Sequence, residues 1–135
     1  MTAPTTAAHP RPGLAAAHRV YVYVMPVLVL VQATLAGQHL FEGSSISVHG
    51  ILGNASFALT VVGVALALVR RCDAVVFFVA VALLAMAFAQ VGLGYVGRET
   101  VSAAAWHIPN GVAIFGLTTY QLALVARPTG GPRGR

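Results

Sequence analysis

Polar residues cut this chain into four long apolar runs. They cover about residues 20–41, 46–69, 74–96 and 103–126, and short polar or basic segments separate them. A bilayer core about 30 Å thick is crossed by about 20 helical residues rising 1.5 Å each, so each run is long enough to span it. The runs are continuous, which excludes the alternating ten-residue segments of a membrane barrel. Connections of a few residues make sequential spans antiparallel neighbours. The predicted fold is all-α, an integral membrane four-helix bundle. Pro26 lies inside the first run, where it kinks a helix or is rescued by its neighbours. Pro109 lies near the start of the fourth, where a missing N–H is tolerated.

The pattern repeats. Displaced by 58 positions, residues 32–66 fall on residues 90–124 without a gap, with 11 identities in 35 positions. Gln32 falls on Gln90, Leu35 on Leu93, His49 on His107, Gly53 on Gly111, Phe57 on Phe115 and Thr60 on Thr118. The spans therefore read as a duplicated two-helix unit. Each copy ends one span with a glutamine and opens the next with a histidine.

Composition sharpens the picture. Of 135 residues, 58% are hydrophobic and 8% charged, with mean hydropathy +0.82, against about 25% charged in a soluble domain. The length allows one domain. A net charge of +5 could suggest nucleic acid, but lysine is absent and the arginines stand at span ends. The expected partner is the lipid bilayer, not nucleic acid. Arg11, Arg19, Arg70, Arg71, Arg127, Arg133 and Arg135 fall on one side, and only Arg98 on the other. Positive charge inside then places both termini in the cytoplasm of a multi-pass plasma-membrane protein. Residues 1–19 read as a flexible cytoplasmic tail with a short basic approach to the membrane that can be helical, and 127–135 as a basic cytoplasmic tail. The long first run with no small-residue cleavage site does not read as a cleaved signal peptide. Cys72 is the single cysteine. Its Arg-Arg-Cys-Asp setting could depress a thiol pKa, against the plainer reading of a loop residue.

His49 and His107 carry the candidate chemistry. Both lie four or five residues inside their spans, roughly 6 Å below the outer boundary at 1.5 Å per residue. Ionisable groups at membrane depth are costly and mark functional sites. At one depth on alternate helices, two imidazoles can face each other and hold a haem iron from both sides. Gly53 and Gly111 follow one turn on, the missing side chain that a flat macrocycle beside a helix requires. Gln32 and Gln90 lie about one and a half turns deeper, as supporting hydrogen-bond groups or interhelical glue; Asn54 and Asn110 share that ambiguity. Arg98 could pair with a haem propionate. His39 has no counterpart, because Gly97 takes its place, and is a candidate third ligand with Glu42 or an interfacial residue.

The pattern Q-x2-L near the end of one span, followed by a histidine opening the next and repeated once, resembles one four-helix half of haem A synthase; the first copy continues as Q-x2-L-x-G. The resemblance covers residues 20–126 and implies His49 and His107 as axial ligands of a b-type haem near the outer face. That family places a glutamate three residues before a ligating histidine and an arginine directly after it. Here those positions hold Ile46 and Gly50, then Ala104 and Ile108. The hydroxylation chemistry is therefore not implied; a small relative from the same duplicated ancestor is.

The leading expectation is a small b-type membrane cytochrome with one haem b between spans 2 and 4, for electron transfer or haem handling with a redox partner. It is an electron carrier or haem-binding protein more than a catalyst, since two filled axial positions leave no open face at the iron. A homodimer restoring an eight-helix arrangement is a further expectation. The alternatives are a cofactor-free anchor or packing subunit of a larger membrane complex, and a divalent-metal site of His39, His49, His107 and Glu42.

Overall fold

In a computed structural model, residues 12–127 are described, and they form four helices. These are α1 (Pro12–Glu42), α2 (Ser47–Val69), α3 (Ala74–Val96) and α4 (Val101–Ala126). All four are long and apolar enough to cross a membrane, and no strand occurs among the described residues. Residues 1–11 and 128–135, most of the two expected tails, lie outside the described residues.

The expected spans are reproduced, with one difference of extent. α1 begins at Pro12, not near residue 20, so residues 12–19 belong to the helix. Proline suits a first helical position, where its missing N–H has no partner to lose, and Ala15, Ala16 and Ala17 are strong helix formers. Pro26 and Pro109 both lie inside helices. α4 starts at Val101, well ahead of Pro109, so this proline is interior rather than at the helix start. Each removes one i→i−4 bond, to the carbonyls of Val22 and Ala105.

The turns differ in how they are closed. α2 ends with Arg70 as cap and Arg71 at φ 51°. Arg71 N–H donates to Leu68 O and Cys72 N–H to Ala67 O, each 3.0 Å. That is the paired 5→2 and 6→1 closure of a left-handed helix end, here without the usual glycine. Asp73 then caps α3 through Val76 N–H at 3.0 Å.

Each helix packs on its sequence neighbours, and α4 on α1 closes the ring. The diagonal pairs α1/α3 and α2/α4 face each other across the interior. That interior is apolar in its middle, with Met25, Leu83 and Ile114 buried. Thr60 and Thr118 are buried beside them because each hydroxyl donates back along its own helix, to Phe57 O at 2.7 Å and Phe115 O at 2.9 Å. Large apolar side chains such as Phe41, Ile51, Phe78, Phe88, Val101 and Trp106 point outward. Such an apolar exterior belongs in lipid.

Candidate functional site

The two histidines project into the interior at the end of the bundle that carries the α1–α2 and α3–α4 loops. Their ring centroids lie 6.0 Å apart with the planes at 61°. Each is fixed by a main-chain carbonyl of the preceding helix. His49 Nδ1–H donates to Gln32 O at 3.0 Å, and His107 Nδ1–H to Gln90 O at 3.1 Å. A helical carbonyl has a second lone pair to offer. A proton held on Nδ1 leaves Nε2 as the lone-pair nitrogen, the tautomer a metal requires. The expected pairing across the bundle is thus present, and the same contact recurs at matching positions of the two halves.

The glycines serve a different neighbour from the one expected. A Cβ at Gly53 would stand 3.1 Å from Gln32 Nε2, and a Cβ at Gly111 3.1 Å from Gln90 Nε2. The gaps expected to face a macrocycle are faced by the glutamine amides, because an amide one and a half turns below the imidazole reaches the same spot on the adjacent helix. Flat side chains on rotatable stems fill them, so a ring seated there has to turn both amides aside.

In the second half the amide reaches further. Gln90 Nε2 lies 3.1 Å from His107 Nε2, and Gln90 Oε1 accepts from Asn110 Nδ2 at 2.6 Å. Asn110 also donates to Met86 O at 3.0 Å. In the first half Leu52 stands where Asn110 stands in the second, and Gln32 Oε1 is buried without a partner. Asn54 donates instead to Tyr95 OH at 3.0 Å, near the surface. Sequence reasoning missed Gly94. A Cβ there would lie 3.1 Å from His107 Cε1, so its absence admits the ring.

The remaining candidates lie at the rim. The Arg98 guanidinium sits 5.1 Å above the Tyr95 ring, and its Nη2 is 3.5 Å from where a Cβ of Gly50 would be. It therefore reaches back toward the residue after His49. His39 does not join the pair: it is exposed, and Nδ1–H donates to Ser44 O at 2.7 Å within the loop. Among the described residues no three His, Cys, Asp or Glu side chains come together as a metal-holding group. The four-residue divalent site with His39 and Glu42 is not assembled, because the loop carbonyl holds His39 away.

A second polar cluster, also missed from sequence, occupies the other end of the interior. His18 and Gln121 are 0% exposed. Arg70 donates to His18 Nδ1, and Cys72 Sγ lies 3.8 Å from the same nitrogen. His18 Nε2, Tyr21 OH and both amide atoms of Gln121 are buried without partners. Burial pushes the Cys72 thiol up from its ordinary value, and Asp73 adds to this while Arg70 opposes it. The depression suggested by the neighbouring arginines is not found.

Away from both clusters, Phe57, Val61, Val81, Leu84, Ala85 and Phe88 line an open apolar groove between α2 and α3. No protein-family model, curated protein or solved structure matches this chain.

Proposed function

We propose that this chain is a small b-type membrane cytochrome whose single haem is held between α2 and α4 by His49 and His107. One observation carries the reading: the two imidazoles face each other at 6.0 Å with both Nδ1 atoms committed to backbone carbonyls. A metal about 2 Å from each of two imidazole nitrogens sets the ring centroids roughly 6 Å apart. The donor set fits an iron bound from both sides, and a nitrogen-to-carbonyl bond behind each ligand is the usual support.

Haem would supply one-electron redox chemistry at this end of the bundle. The chain's own residues do the rest. The carbonyls of Gln32 and Gln90 fix the ligand tautomers and raise their basicity. Arg98, beside Gly50, is placed to meet a negatively charged substituent. With Arg19, Arg70, Arg71 and Arg127 at the end carrying the termini, that end is assigned to the cytoplasm and the histidine pair to the outer side.

A second reading has its own observation. The Asn110–Gln90–His107 bonds already satisfy both ring nitrogens of His107, which suits a cofactor-free packing subunit bound together by polar contacts. Titrating haem into the detergent-solubilised protein separates the two. The cytochrome reading expects saturation at one equivalent with a six-coordinate low-spin spectrum, and no such spectrum from the His49→Ala/His107→Ala double variant. Absence of saturable binding in a folded protein leaves the packing role.

A further inference from the structure

The polar groups at the opposite end of the interior come from α1 and α4. His18 and Tyr21 are one turn apart on α1, with their rings stacked at 6.1 Å and 27°. Gln121 holds on α4 the place that Gly63 holds on α2, since each follows its facing histidine at the same spacing. Tyr21 lies against Gly63, and both α2 and α4 pack on α1. The Gln121 amide therefore comes to the level of the phenol.

These groups are donors in excess. Arg70 donates to His18 Nδ1, which leaves the imidazole proton on Nε2. That N–H, the Tyr21 hydroxyl and the Gln121 amide nitrogen are all buried without partners, and His18 and Gln121 are 0% exposed. Against them stands one unpaired carbonyl oxygen, of Gln121, which diverges from the nitrogen of the same amide. The acidic residues do not supply the missing charge. Glu42 and Glu99 belong to the loops of the far end, and Asp73 is exposed and caps α3. A guanidinium donating into one side of an imidazole polarises the N–H on its other side toward negative charge.

We infer that this end of the interior binds a small monovalent anion, a halide, through the donors of His18, Tyr21 and Gln121, with Arg70 as its counter-charge. Arg19, Arg71 and Arg127 stand at the same end and raise the local anion concentration. The site is separate from the imidazole pair and stands whether or not that pair holds haem.

The test uses chloride as the probe on the full-length protein in detergent, with gluconate replacing it at constant ionic strength. The midpoint of thermal unfolding is expected to rise with the logarithm of chloride concentration above the dissociation constant, as for any ligand of the folded state. Gln121→Leu is expected to abolish the response while unfolding no lower than the wild type in gluconate, because it also removes two unpaired polar atoms. The change is uncharged, so it separates a site from general screening of the arginines. Arg70→Gln keeps an N–H for His18 and loses the charge. It is expected to bind chloride roughly tenfold more weakly, the ratio equivalent to about one charge-assisted hydrogen bond. A wild type that unfolds identically in chloride and gluconate overturns the inference. So does a chloride response undiminished in both variants.

Discussion

At the scale of single residues, the histidine pair is set by acceptors that no side-chain motif records. The 58-residue offset makes His49 and His107 legible as partners, and their depth in two alternate spans makes them legible as facing one another. What holds them, the carbonyls of Gln32 and Gln90, is not legible, because every residue of a helix carries one. The glutamines are legible; that one amide meets a histidine while the oxygen of the other is left unpaired depends on Asn110 against Leu52, a single-residue difference along the chain. His18 was not singled out at all, since a histidine beside an arginine in an alanine-rich stretch looks like an interfacial residue. Two outcomes belong here. Arg71 occupies a left-handed backbone position at φ 51°, which costs an L residue about 1–2 kcal/mol. Arg71→Gly is expected to raise the midpoint of thermal unfolding in detergent, and a lowered midpoint would contradict the closure described. The thiolate is the reactive form of cysteine, and burial raises the Cys72 pKa. Alkylation of Cys72 should therefore be slow at neutral pH and reach half its maximal rate at a higher pH than a free thiol; half-maximal rate at or below that of a free thiol would contradict it.

At the scale of elements, packing depends on where a side chain is missing. A Cβ at Gly63 of α2 would stand 2.3 Å from the Tyr21 ring carbon Cζ of α1. The phenol can be buried only because α2 offers bare backbone at that level. Gly63→Ala is expected to destabilise the protein by about 1–3 kcal/mol, the usual range for overpacking a core. Tyr21→Leu in the same background should recover most of the loss. Equal unfolding midpoints for wild type and Gly63→Ala would show that the ring has another place to go. The helix interiors were legible because apolar runs of this length have few alternatives. The boundaries were less so. Residues 12–19 carry no apolar periodicity, and α1 extends through them by helix propensity and by the packing of His18. Pro109 stands near the start of the expected fourth run, and α4, which begins at Val101, carries it in its interior.

At the scale of the whole molecule, four antiparallel helices in a ring bring the residues that follow a loop, on α2 and on α4, to the same end of the interior. The recurring sequence pattern and the bundle therefore converge on one place. The antiparallel arrangement also gathers Arg19, Arg70, Arg71 and Arg127 at one end, with Arg98 at the other. Reporters fused separately to the N- and C-terminus are expected to give the cytoplasmic signal in both fusions. An external signal from either one would contradict the assigned orientation. The two ends of the interior differ in kind: one holds the facing imidazoles, and the other a set of buried groups around His18 and Gln121 with no partners. The first is read as a haem site and the second as an anion site.

Haem binding by the imidazole pair is read from the reduced-minus-oxidised absorption spectrum of the wild-type protein, purified in detergent from cells amply supplied with haem. A Soret band with sharp α and β bands on reduction, at one haem per chain, is the expected result. A folded, monodisperse protein with a featureless visible spectrum would contradict it.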